Sequence, residues 1–158
     1  MNTNISKNCA RSCVIVDIDG TLADCHHRRR YITRMPKQWN KFFDPDLVSR
    51  DKLIQPVARL VDTLASQHLI VYSSGRPERL RETTVDWLSE HDLWFHPFEL
   101  YMRSDGDMRP DVTVKRELLR VIEREGFSPW LTIDDRSSVV SMWREEGLTC
   151  LQVADGDF

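Results

Sequence analysis

Apolar runs and amphipathic stretches alternate along the chain, separated by polar or turn-forming clusters. The series opens at Val14-Ile15-Val16-Asp17-Ile18, whose apolar and β-branched residues show no polar face and read as a short buried strand. From Pro56 to Ser66, Val57, Leu60, Val61 and Leu64 fall at helical spacing, with proline at the start. Leu69 to Tyr72 predicts a second buried strand, stopping at Ser73-Ser74-Gly75-Arg76-Pro77. A helix from there to about Glu90 buries Leu80, Trp87 and Leu88. Phe98 to Met102 reads as a strand and Asp111 to Glu125 as a helix carrying Lys115 in its first turns. Trp130 to Ile133 is a fourth buried strand, and the helix from Ser137 turns Val139, Val140 and Trp143 inward. Gly147 suits that helix's stop, and Thr149 to Val153 is the last strand. Strand–helix alternation with right-handed crossovers predicts an α/β fold, an open parallel sheet covered by helices.

One segment breaks the alternation. Ala23 to Arg34 is dense in His26, His27, Arg28, Arg29, Arg30 and Arg34, a pattern of solvated surface that is also suited to collecting a phosphate-bearing ligand. In the following stretch Trp39, Phe42 and Phe43 share one face of a short helix, and Asp44-Pro45 marks a turn. Those rings either pack the insertion onto the core, the reading we favour, or stack on a base in a cleft. Residues 1–12 read as a loose polar lead-in.

Length and composition narrow the class. The 158 residues suit one domain with a sizeable core, 41% hydrophobic and 30% charged. A net charge of −3 argues against broad nucleic-acid coating while leaving room for a local basic patch. Cys9, Cys13, Cys25 and Cys150 lack CxxC spacing, which speaks against a zinc site. With no signal-peptide pattern and no apolar run of membrane-spanning length, a cytoplasmic protein with reduced thiols is expected.

The unusual polar groups then fall into a pattern. In an open parallel sheet, ligands sit beyond the carboxyl ends of the strands. Asp17/Asp19, Ser74/Arg76, Lys115 and Asp134/Asp135 all belong at that edge. A buried strand does not end on carboxylates unless they are paired or hold a cation. Carboxylate oxygens suit a hard ion such as Mg²⁺, although Asp17 to Thr21 lacks the later acidic positions of a calcium loop. Ser, Lys and Arg around such an ion suit a phosphoryl group. One Asp can then act as nucleophile and its neighbour as general acid and base.

These motifs, Asp17-x-Asp19-Gly20-Thr21, Ser74-Gly75-Arg76, Lys115 and Asp134-Asp135, resemble the four motifs of the haloacid dehalogenase (HAD) superfamily of phosphotransferases. Within it the chain resembles the 3′-phosphatase domain of phage polynucleotide kinase–phosphatase. That likeness is carried by Ile133 to Arg136, Val139-Val140, Met142 to Arg144, Gly147, Cys150, Gln152 to Ala154 and Gly156-Asp157-Phe158. Arg103, Gly106-Asp107, Arg109, Asp111, Val114 and Lys115 add to it, whereas the segment from Arg29 to Leu53 departs. The resemblance implies a single domain over residues 1–158, a three-layer Rossmann-like sheet with a small helical cap inserted at about 25–53. It implies Mg²⁺ as cofactor, held by Asp17, Asp19 (through its carbonyl), Asp134 and Asp135. Asp17 would attack phosphorus, Asp19 would protonate the leaving hydroxyl and later activate water, and Ser74 and Lys115 would grip the phosphoryl oxygens. Arg28, Arg76, Arg103 and Arg136 fall where the family meets substrate, Asp111 orients Lys115, and Thr21 and Gly75 support the site.

The implied activity is a polynucleotide 3′-phosphatase acting on DNA or RNA ends, with Arg28 to Arg34 and Arg103 to Arg109 on the backbone. A nucleotidase is the alternative, and a non-catalytic binding module the third reading. No GxxxxGK[ST] loop occurs, so the chain is expected only to remove phosphate, with a separate kinase or ligase as possible partner.

Overall fold

A computed structural model describes residues 11–95 and 99–156. Strand β1 (Arg11–Val16) leads through a short strand β2 (Ala23–Asp24) into helices α1 (His26–Arg29), α2 (Trp39–Phe42) and α3 (Pro45–Val48). A second short strand, β3 (Lys52–Leu53), returns the chain to α4 (Gln55–Ala65). There follow β4 (Leu69–Pro77), a 3₁₀ turn Glu78–Leu80, α5 (Arg81–Glu90) and β5 (Glu99–Arg103). Helix α6 (Asp111–Arg124), β6 (Phe127–Asp134), α7 (Ser137–Glu145) and β7 (Thr149–Gln152) complete the chain order.

The main sheet has five strands in the order β5-β4-β1-β6-β7, all parallel. β1 lies at its centre because it is apolar on both faces. Val14 and Val16 pack with Val57 and Val61 of α4 and Trp87 and Leu88 of α5. Cys13 and Ile15 pack with Leu119 and Ile122 of α6 and Val139, Val140 and Trp143 of α7. The result is the expected three-layer α/β arrangement. From β1 the chain builds outward on one side through β4 and β5, then crosses back to β6 and β7 on the other. That reversal opens a crevice at the carboxyl end of β1.

Several boundaries differ from the sequence pattern. β1 runs Arg11–Val16 and ends before Asp17, so Arg11 and Ser12 belong to the sheet and not to a loose lead-in. β4 does not stop at Tyr72: it continues to Pro77 with an irregular register between Ser74 and Pro77. Ser73 and Ser74 therefore lie within a strand and do not open a helix. Leu60 is exposed, because α4 turns Val57, Ala58 and Val61 to the sheet. Trp130 is also largely exposed, although β6 is otherwise central. Phe98, Cys9 and the final Asp157-Phe158 lie outside the described residues.

The helices α1 to α3 form the insertion. Antiparallel pairing of Ala23 with Leu53 and of Asp24 with Lys52 closes its stalk. The Asp44 side chain caps α3 by accepting from the Asp46 and Leu47 amides. Cys25, Ile32 and Phe42, with Tyr31, Trp39 and Phe43 against them, give it a small apolar core of its own. Among the described residues no helix is long and apolar enough to cross a membrane.

Candidate active site

Just past β1, the Asp17 amide donates to the Ile133 carbonyl at 2.9 Å, carrying the ladder one residue beyond the strand. This sets the Asp17 carboxylate beside Asp134 and Asp135 at the end of β6. Helix α6 brings Lys115 to the same point, 2% exposed, with Nζ 2.6 Å from Asp17 Oδ1 and 2.8 Å from Asp134 Oδ2. Asp111, one turn earlier, has Oδ2 3.9 Å from the same ammonium. Burial works against the Lys115 charge, but Asp134, Asp17 and Asp111 prevail and hold its pKa well above the usual lysine value. Burial pushes the Asp17 carboxyl well up; Lys115 opposes this, while Asp134 and Asp135 add to it.

Asp134 has little spare capacity. Its Oδ2 also accepts from Trp143 Nε1 at 3.1 Å, and its Oδ1 from the Arg136 amide at 3.2 Å. Asp135 is different: Thr21 Oγ1 stands 3.5 Å from Oδ1, while the buried Oδ2 has no hydrogen-bond partner. Burial, and then the Asp134 charge, push its carboxyl up to about 6. Carboxylate oxygens of Asp17, Asp134 and Asp135 lie within 4.8 Å of one another. A buried carboxylate oxygen without a hydrogen-bond partner, within an acidic cluster, fits a hard divalent cation such as Mg²⁺. The Asp19 carboxylate does not belong to this cluster.

Asp19 instead meets two arginines. Its Oδ1 accepts from Arg28 Nη2 at 2.5 Å and from Arg76 Nε and Nη2 at 3.0 and 2.6 Å. Both guanidinium groups are fully buried and also bind Asp51. Burial favours a neutral Asp19, yet Arg28 and Arg76 outweigh it and hold the carboxyl well below the usual range. Arg28 and Arg76, expected at the substrate, are thus spent on orienting a carboxylate and do not line the cavity.

That cavity, about 520 Å³, has Asp17, Asp19, Lys115 and Asp135 in its lining. Arg136 lines it, its Nη1 3.6 Å from Asp111 Oδ2. Arg103 lines it as well, but its fork organises the loop after β5, donating to the carbonyls of Gly75, Asp107 and Arg109 and to Asp111 Oδ1. Gly75 lets the Asp111 carboxylate approach: a β-carbon there would stand 2.5 Å from Oδ1. Ser74 is fully buried away from the cavity, and its Oγ accepts from the Arg76 amide at 3.2 Å. Ile32, Trp39, Phe42 and Phe43 of the insertion contribute to the cavity wall. Trp39 and Phe43 are stacked with centroids 6.0 Å apart, and with Phe42 they build the insertion's own small core. Of these three rings only Phe43 also packs against the main core, and all three line the cavity.

Sequence reasoning missed Asp51, whose neighbours Arg50 and Lys52 make it look like part of a solvated charge run. It also missed Trp143 as a donor to Asp134 and Arg29, whose Nη2 lies 3.9 Å from Asp135 Oδ2. An indole at helical spacing reads only as core, and nothing in the spacing of the others signals their partners.

Residues 11–158 match the family described as the polynucleotide kinase PNKP phosphatase domain. A protein of the Autographa californica nuclear polyhedrosis virus, which carries the provisional name bifunctional polynucleotide kinase/RNA ligase, is 29% identical over 135 residues, covering 84% of this chain and 18% of that protein. A chain in the structure of the Pnkp1/Rnl/Hen1 complex superimposes with a TM-score of 0.77 at 31% identity, covering 94% of this chain and 48% of that one. The present chain thus spans less than half of either relative. A haloacid dehalogenase-like hydrolase from Streptococcus pneumoniae shares the fold at 14% identity and a TM-score of 0.63, over 90% of this chain and 84% of that one. The chain belongs to the PNKP phosphatase domain family of HAD-type hydrolases.

Proposed function

We propose that this domain removes the 3′-phosphate from nucleic-acid ends, with Asp17 as the nucleophile. The observation that carries the reading is the Asp17 carboxylate, buried at the cavity and gripped by Lys115 at 2.6 Å. A carboxylate on a strand end, aimed into a cavity and steadied by a cation, is placed for attack rather than for surface charge. Its oxygen attacks phosphorus and the bond to the ester oxygen breaks, its electron pair leaving with that oxygen. Asp19 supplies the proton that makes it a hydroxyl. Water then attacks phosphorus, Asp19 takes its proton, and the Asp17 carboxylate and inorganic phosphate are released. Arg28 and Arg76 keep Asp19 ionised at rest. A dianionic phosphate ester arriving beside it raises its proton affinity, favouring the form that can donate.

Asp17 and Asp135, with Asp134 behind them, are the residues that would hold Mg²⁺, which supplies charge neutralisation for the phosphoryl group. Lys115 adds a fixed cation, while Ser74 shapes the turn that presents Arg76. The names of the relatives, a polynucleotide kinase/RNA ligase and a Pnkp1/Rnl/Hen1 RNA repair complex, support RNA ends as substrate and a kinase or ligase as partner.

The test is phosphate release with Mg²⁺, with Asp17→Asn as the blank. Substrates are a 3′-phosphorylated RNA, its DNA and 5′-phosphorylated counterparts, and a 3′-mononucleotide. Strong preference for 3′-phosphorylated oligonucleotides is expected. Activity confined to the mononucleotide would move the domain to nucleotide metabolism, and no release from any substrate would refute hydrolysis.

A further inference from the structure

Asp51 sits where α3 gives way to β3, at the exit of the insertion, and is 3% exposed. Its Oδ1 accepts from Arg28 Nε at 2.9 Å, and its Oδ2 from Arg28 Nη2 at 2.7 Å and Arg76 Nη2 at 2.9 Å. Those two Nη2 atoms are the ones that reach Asp19 Oδ1, at 2.5 and 2.6 Å. Each guanidinium therefore bridges the same two carboxylates, Asp19 on the cavity side and Asp51 behind. His27 Nε2 lies 2.9 Å from Asp51 Oδ1, and Trp87 Nε1 donates to the Asp51 carbonyl at 2.8 Å. Arg76 is further fixed through Nη1 on Thr84 Oγ1 at 3.2 Å, and Arg28 through Nη1 on the Phe42 carbonyl at 3.1 Å.

We propose that Asp51 is a positioning residue for the proton transfer: through Arg28 and Arg76 it turns Asp19 so that Oδ1 is anchored and Oδ2 is left to the substrate. The inference rests on the reading of Asp19 as proton donor and acceptor. All of the described hydrogen bonds to the Asp19 carboxylate go to Oδ1, and none goes to Oδ2. Two buried cations converging on one oxygen repel each other, and a carboxylate between them on the far side cancels that repulsion. Without it the pair carries excess buried charge and cannot hold this convergence. Arg28 comes from the start of the insertion, Asp51 from its end and Arg76 from β4. Closure of the insertion on the sheet is thereby tied to the orientation of Asp19.

A group that acts through a proton donor matters most when the leaving oxygen needs a proton. The experiment compares kcat/KM, which reports the first transfer, on p-nitrophenyl phosphate, phenyl phosphate and a 3′-phosphorylated oligonucleotide. Asp51→Asn keeps the shape and is expected to stay within about threefold of wild type on p-nitrophenyl phosphate while losing about a hundredfold on the oligonucleotide. Asp19→Asn is expected to lose at least as much as Asp51→Asn on the oligonucleotide, and the double variant to fall no lower there than Asp19→Asn alone. If Asp51→Asn does not fold, Arg28→Lys tests the same link, since it keeps charge but loses the bridging fork. Equal losses on all esters, or additive losses in the double variant, would overturn the proposal and leave Asp51 a structural ion partner. A wild type active on aryl phosphates but inert on the oligonucleotide would refute the 3′-end substrate alone, and the split would then be read between phenyl and p-nitrophenyl phosphate. A wild type inert on every ester refutes both.

Discussion

Gly20 lies directly against the Asp135 carboxylate: a β-carbon at Gly20 would stand 2.2 Å from Asp135 Oδ2, the oxygen without a hydrogen-bond partner. The backbone there has φ +91°, which an L side chain rarely adopts. Gly20→Ala is therefore expected to act twice. Backbone strain lowers stability by about 1–2 kcal/mol, read as a shift in the urea midpoint. Displacement of Asp135 weakens Mg²⁺ binding by about tenfold or more, read by calorimetric titration. Unchanged Mg²⁺ affinity would remove Asp135 Oδ2 from the metal site.

Lys115 balances buried carboxylates on two strands, Asp17 after β1 and Asp134 at the end of β6. Lys115→Met leaves them facing each other without a cation. A drop in kcat of about a hundredfold or more is expected. The stability loss, about 3–5 kcal/mol at pH 8, is expected to shrink as pH falls, because burial holds the Asp17 carboxyl well above its ordinary value. Lys115→Arg is not expected to restore activity, because a planar fork cannot replace a compact ammonium in this enclosed slot. Equal losses at pH 8 and pH 5 would show that the cost arises from packing and not from charge.

Asp135 is expected to make the metal-free protein pH-sensitive. Its folded pKa of about 6 lies above the ordinary carboxyl value of 3.8. The folded state thus binds more protons between those values, and the stability this confers is lost as pH rises through 6. Asp135→Asn carries no such dependence. In EDTA it is expected to match wild type at pH 4 and to exceed it at pH 7.5 by up to about 3 kcal/mol. Added Mg²⁺ is expected to close that gap by stabilising the wild type only. Urea unfolding across pH supplies the measurement, and a difference that does not vary with pH would contradict the burial-driven shift.

Much of the fold was legible because its signals are local. An apolar run such as Val14-Ile15-Val16 needs cover on both faces wherever it is placed, and alternation with amphipathic helices leaves a covered parallel sheet as the solution. The acidic pairs at the ends of two such runs, Asp17/Asp19 and Asp134/Asp135, announced a site for the same reason, since charge on a buried strand needs a partner. Boundaries were less legible. β4 runs on through Ser73 to Pro77 because β5 offers it hydrogen bonds, which no local propensity records.

By itself, then, the sequence determined the α/β layering, the carboxylates at the sheet's edge and the family motifs, all of which follow from residue type and spacing. Only the tertiary structure decided which charges meet. Arg28 sits in a basic run that reads as surface, and Asp51 in a polar linker 23 residues on, yet both are buried against each other and against Asp19. Each charge is tolerable in the interior only because the others are there. Their positions depend on the insertion folding back onto β4, so the pairing belongs to the packed chain and is carried by no stretch of it alone.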